Sequence, residues 1–331
     1  DNQVTEPTSQ VQPDETIRAG KGASASNSII ALEPIPGASP SYSAAYAIND
    51  LGQAVGESST SSGSTTAVIW DNSTIPQDLG MLEGDVASGA LSISSDGSVI
   101  AGISRDATTY HAVRWLKSNG AWLIDPLPNG TGCFVSNMSS DGRAIVGTCN
   151  NTFAVVWLNG ARITLGTGSG SGVNSRFQAV GTNGSPSRAV LWNFATLPVT
   201  ETDLGTLGGS YAVATNINDA GQVTGWSENA DLVSHAFLWS PRKASMIDLA
   251  PGSPITGGGY AVNDAGKVAG DMFPSTQHGG YYDGGRKVVD LGVLPGYASS
   301  FARALNNKGQ VVGWSTTFSF SQTRATMWTV K

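Results

Sequence analysis

The chain has 331 residues, a formal net charge of −7, only 13% charged residues and 42 glycines. So few charges argue against long solvated helices. Lys and Arg are scattered with no basic run, so a surface that tracks phosphates, and with it a nucleic-acid partner, is not expected. No apolar stretch has the length of a membrane-spanning helix, so no transmembrane segment is expected either.

Residues 1–26, DNQVTEPTSQVQPDETIRAGKGASAS, are polar and rich in Pro, Ser and Gln. They read as a mature N-terminus, a tail or a linker. The rest of the chain, 27–331, is dominated by small residues, Thr, Val and Gly-centred turns, an all-β composition.

From residue 41 onward one unit recurs seven times, marked twice per copy. The first mark is a turn resembling Asn-Asp-x-Gly-Gln, followed by a short strand that ends in Gly. It begins at Asn49, Ser95, Ser140, Asn174, Asn218, Asn263 and Asn306, and the strands end at Gly56, Gly102, Gly147, Gly181, Gly225, Gly270 and Gly313. The second mark is an apolar strand closed by an aromatic: Trp70, Trp115, Trp157, Trp192, Trp239, Tyr282 and Trp328. Apart from a short step into the fourth copy, the marks advance by roughly 42–47 residues, which is the period of a propeller blade.

Each copy resolves into four strands, lettered A to D. In the fifth they cover 212–217, 222–227, 235–239 and 246–249. The Asn-Asp-x-Gly link suits a hairpin, because Asn and Asp tolerate unusual backbone angles and Gly allows positive φ. Strand A, with small residues at alternate positions, suits the crowded centre of a ring.

Ring closure is legible at the two ends. Residues 28–37 read SIIALEPIPG and align without a gap on KVVDLGVLPG, 287–296, which is strand D of copy six. Copy seven stops at its strand C. The chain therefore begins with the strand D that its last copy lacks. We expect a seven-bladed β-propeller of four-stranded blades, with 27–38 completing the last blade. A six-bladed ring, with the weak fourth copy absorbed as an insertion, is the alternative.

HAFLW at 235–239, INDAGQ at 217–222 and DLGTLGG at 203–209 together resemble the HAF repeat, found in predicted extracellular, mostly bacterial proteins. The resemblance covers roughly residues 28–331. It implies secretion to the cell exterior or periplasm and a repeat scaffold. It implies no activity, so it transfers no catalytic residue.

The three histidines, His111, His235 and His278, occupy one slot, the start of strand C. Asp125, Asp248 and Asp290 follow on strand D. A structural His–Asp hydrogen bond across each C–D hairpin is expected: His111 with Asp125, His235 with Asp248, His278 with Asp290. Cys133 and Cys149 flank the turn at Asp141 symmetrically, so they face each other on strands A and B. A disulfide is expected, against two buried thiols or a redox pair, and it fits an oxidising compartment. The Asp-Gly turns lack the ligand run of a calcium loop. No metal or cofactor is expected, nor any catalytic residue.

Function is expected on the face that carries the B–C loops, which vary while the A–B turns repeat. Just after the strand-B glycine stand Glu57, Trp226, Asp271 and Trp314, with Glu228 and Phe273 close behind. Two tryptophans and two carboxylates at the lip of one face fit the binding of a sugar or other polar ligand. The simpler reading is that the tryptophans pack on the neighbouring blade. Phe318 and Phe320 lie in the same set of loops. The leading expectation is a monomeric secreted or cell-surface binding module for a glycan or a protein. The alternatives are a structural or surface-display protein, and an extracellular hydrolase or lyase using Glu57, Asp271, Glu228 and Arg176 at the channel mouth.

Overall fold

The computed structural model describes residues 28–251, 257–273, 277–284 and 288–330. The proposed tail, 1–26, lies outside them. The described strands form seven four-stranded antiparallel sheets arranged as a ring, a seven-bladed β-propeller.

The seventh sheet closes the ring. Its strands Ser299–Leu305, Gln310–Thr316 and Thr323–Thr329 are completed by Ser28–Leu32 from the start of the chain. Ile29 faces Trp328 and Leu32 faces Ala325 in an antiparallel register. The fourth copy is a full blade, with strands Ser169–Val173, Gln178–Asn183, Arg188–Asn193 and Thr200–Asp203, so the six-bladed alternative is excluded. Its short step arises because only Gly168 separates it from the strand before, Ala161–Thr167.

Both sequence marks have a steric cause. In six A–B turns a glycine takes positive φ: Gly52, Gly97, Gly142, Gly221, Gly266 and Gly309. The fourth turn lacks it, and Phe177 adopts φ +60 instead, a conformation costing roughly 1–2 kcal/mol for a residue with a Cβ. Packing offsets that cost: Phe177 makes an edge contact with Phe194, and the Arg143 guanidinium lies 5.3 Å from its ring. The strand-B glycines lie inside their strands, which run two to four residues further than the repeat suggested. A Cβ on any of the seven would fall 1.8–2.2 Å from a strand-A carbonyl oxygen, too close for any other residue.

The core lies between blades. Trp115 of the second blade, fully buried, packs with Val55, Ala67 and Ile69 of the first. At the closure, Leu32, Val312 and Met327 pack with Trp70 and Ile48 of blade one. Burying each such side chain contributes on the order of 1.5–3 kcal/mol. The A–B turns add a polar girdle. Asn174 donates its side-chain amide to the Asn218 carbonyl, Asn218 to Asn263, Asn263 to Asn306, Asn306 to Asn49 and Asn49 to Ser94. Blades two and three carry Ser94 and Ser139 in that slot. Their hydroxyls turn inward to Asp96 and Asp141 of their own turns.

Candidate functional site at the channel and the loop face

Every strand A is bulged at one residue, three positions before its turn. The unpaired residues are Tyr46, Leu91, Ser136, Ser171, Thr215, Tyr260 and Arg303. All seven line the central channel, a cavity of about 640 Å³. A bulge turns its extra residue out of the ladder, and here it turns it toward the axis. Going round the ring, Tyr260, Arg303, Tyr46 and Leu91 are large, whereas Ser136, Ser171 and Thr215 are small. One half of the channel is therefore filled and the other half is open.

The filled half gathers four of the sequence-selected residues into one connected cluster. Arg303 lies 4.1 Å from the Tyr260 ring centre and 4.5 Å from that of Trp314, and it donates to Asp271 at 3.0 Å. Trp226 contacts Tyr260, and Trp314 contacts Tyr46 and Phe301. Glu57 accepts hydrogen bonds from the hydroxyls of Tyr42 at 2.6 Å and Tyr46 at 2.8 Å. Burial, then the Glu57 charge, holds both tyrosines far above the ordinary phenol range. Burial also raises the Asp271 carboxyl despite the opposing pull of Arg303, and its Oδ1 is buried without a hydrogen bond.

Trp226 and Trp314 are half-buried, with their rings against residues of the following blade. Part of each ring is interblade packing, and the rest stays accessible to solvent. The carboxylates named for hydrolysis are each held by separate neighbours: Glu57 by two tyrosines, Asp271 by Arg303, and Glu228 by Ser210 at 2.6 Å. The Ser210 hydrogen bond holds the Glu228 carboxyl below its ordinary range. Arg176 sits on an A–B turn, at the opposite face. Phe273 ends its strand B opposite His278; its side chain and residues 274–276 lie outside the described residues. Tyr46, Tyr260 and Arg303 were not singled out in the sequence. Their signal was a slot that varies widely within an otherwise small-residue strand.

Cys133 and Cys149 face each other across strands A and B of blade three and form a disulfide. His235 Nδ1 lies 2.8 Å from Asp248 and His278 Nδ1 3.0 Å from Asp290. The same slot is used with other chemistry elsewhere: Thr66 donates to Asp78 at 2.7 Å, Arg188 pairs with Asp203, and Arg324 with Glu33. His111 departs from this arrangement and does not meet Asp125. In the C–D hairpins of blades one, four, five and six the acid stands opposite the third residue of strand C, as Asp248 stands opposite Phe237. In blade two Pro126 takes that place opposite Val113, and Asp125 stands opposite Arg114. One residue of slip sends a side chain to the other face of the sheet. Asp125 therefore pairs with Arg114 at 2.7 Å, and His111 turns to Asp85 at 3.2 Å.

Among the described residues, the exposed aromatics all lie at the end that carries the B–C loops. Phe318 and Phe320, 94% and 63% exposed, are in the loop of blade seven. Tyr110 and Phe153 begin strands C, and Phe134, second in its strand A, contacts Tyr110. The A–B and C–D turns at the other end expose aliphatic residues such as Leu51, Ile75 and Leu197. No helix of the described residues is long and apolar enough to cross a membrane.

No family model and no curated protein matches the chain. Solved structures do match in fold. The β-propeller domain of the trilobed protease from Pyrococcus furiosus, described as having an open velcro topology, is 10% identical with a TM-score of 0.58. That match covers 86% of this chain and 95% of the domain. The acylaminoacyl peptidase of Pyrococcus horikoshii is 9% identical with a TM-score of 0.56, over 83% of this chain and 49% of the peptidase. A prolyl endopeptidase structure is 11% identical with a TM-score of 0.56, over 87% of this chain and 50% of that one. The chain thus spans about half the length of these two peptidases, and the likeness is one of propeller architecture.

Proposed function

We propose that this chain is an extracellular or periplasmic binding module of the HAF-repeat kind, which takes a protein partner on its B–C loop face. The observation that carries the reading is the segregation of exposed aromatics to that face, with Phe318 and Phe320 standing almost free in solvent. Solvent-facing apolar groups concentrated at one site mark contact surfaces. Phenylalanine, with no polar handle, favours a protein surface over a sugar, and the two tryptophans that would suit sugar stacking are partly packed between blades. The disulfide supports an oxidising compartment. A hydrolase reading is weakened because Glu57, Asp271 and Glu228 each satisfy separate neighbours.

The test compares wild type with a Phe318→Ser/Phe320→Ser double variant, as bait against secreted and periplasmic fractions and on a glycan array. Proteins retained by wild type and lost by the variant support the reading. Retention of the same proteins by both forms overturns it, and saturable glycan binding lost in the variant replaces the protein partner with a carbohydrate.

A further inference from the structure

The slip that removes Asp125 from His111 creates a second arrangement at the loop face. His111, at the start of strand C, Asp106 in the B–C loop and Asp85 in the link from blade one each bring a donor atom to within 4.8 Å of the others. Asp85 comes from a link segment whose counterparts, read by alignment, are Ser210 and Tyr297, so the acid is private to this blade.

The hydrogen bonds leave a donor atom open on each group. Asp106 Oδ1 accepts from the Thr108 and Thr109 amides and the Thr108 hydroxyl, so Oδ2 stays unengaged. Asp85 Oδ2 accepts from Ser104 and meets His111 Nδ1, which leaves Oδ1 and the imidazole Nε2 without hydrogen bonds. The Asp85 side chain is only 5% exposed and that of His111 23%. Among the described residues no lysine or arginine pairs with either acid; Arg114, the nearest cation along strand C, is taken by Asp125. Two carboxylates this close, one of them buried, repel unless a cation sits with them.

We propose that Asp85, Asp106 and His111 form a site for a divalent transition-metal ion, with zinc the best match. Imidazole with carboxylate is a borderline donor set that suits zinc better than magnesium or calcium. With metal–ligand distances of about 2.0–2.2 Å, the donors close by roughly an ångström on binding, within reach of side-chain rotation. Three protein ligands leave a tetrahedral ion one position for water or for a group brought by a partner. The site opens beside Tyr110, on the same face as the exposed phenylalanines.

The chain has three histidines, so the test is compact. Protein without a histidine tag is titrated with zinc chloride by calorimetry, in parallel with His111→Ala, Asp106→Asn and His278→Ala. Asparagine keeps the Oδ1 acceptor that holds the loop and removes only the charge, so folding is not at issue. One saturable site is expected, unchanged in His278→Ala. Loss of even an outer partner typically weakens a metal site 10–100-fold, so His111→Ala and Asp106→Asn should each weaken it by at least about tenfold. Absence of saturable binding, binding indifferent to both variants, binding lost in His278→Ala, or a preference for calcium or magnesium over zinc overturns the proposal.

Discussion

Asn306 of the last blade donates its side-chain amide to the backbone carbonyl of Asn49 in the first, at 3.0 Å and across 257 positions of sequence. The same carboxamide bonds Gln310 Oε1 and accepts from the amides of Lys308 and Gln310. It is 4% exposed, so its loss strands several buried polar groups. Asn306→Ala should lower unfolding free energy by about 2–3 kcal/mol in urea titrations. Adding Lys308→Asp to Asn306→Ser copies the Ser94–Asp96 turn of blade two and should recover part of the loss relative to Asn306→Ser alone. If the double variant is no more stable than the single, the two turn types are not interchangeable.

The disulfide spans a sequence separation of 16 and pins the first two strands of blade three. In the chain-entropy account a loop of this size contributes about 3 kcal/mol. The Cys133→Ala/Cys149→Ala variant should lose about that much, and wild type unfolded and refolded under reductant should match it. Stability equal to wild type would show that the bond does not constrain the unfolded chain.

The His–Asp pairs differ in burial, and their worth should follow. The His235 side chain is 0% exposed beside Asp248 at 22%, whereas His278 and Asp290 are 21% and 43% exposed. His235→Ala leaves a buried hole and takes from Asp248 Oδ2 its imidazole partner, and should cost about 2–4 kcal/mol. His278→Ala acts through a solvent-screened pair and should cost less than about 1 kcal/mol. Equal losses would mean that burial does not govern the pair.

Acid should weaken the fold partly through Asp96. The Ser94 hydroxyl, then the Ser98 amide, bonds its carboxylate and lowers its pKa from 3.8. A group with a depressed folded pKa stabilises fully above its unfolded value, and the contribution disappears as pH falls through the folded pKa. Thermal midpoints should therefore drop as pH goes below about 3.8, and Asp96→Asn should lower the midpoint near neutrality, flatten that limb and converge on wild type in acid. Asp271 has the opposite sign. Its raised pKa makes its own contribution shrink as pH rises through the folded value. An acid limb in Asp96→Asn as steep as that of wild type would place the loss elsewhere.

The blade count, the closing strand and the facing cysteines were legible because each rests on spacing along one repeat or between the chain ends. The channel lining was not. A bulge shifts the alternation of faces by one residue, and nothing in strand A itself announces that Tyr260 or Arg303 is the extra one. The slot of Trp226 and Trp314 and their packing on the neighbouring blade were legible, but the partners, Tyr260 and Tyr46, were not, because each is the bulged residue of the next blade. His111 lost its expected partner to a one-residue slip on strand D, and it met one that sequence spacing places 26 positions away.

The bulged residues on strand A are free of any partner in their own ladder. A change at Leu91 or Ser136 therefore alters what the axis presents without disturbing the sheet that carries it. Leu91, Ser136 and Ser171 are such positions around the bore, whereas Tyr46, Thr215, Tyr260 and Arg303 are tied to one another or to neighbouring strands. A library varied only at the first three would sample new recognition chemistry while inheriting its folding from residues it never touches.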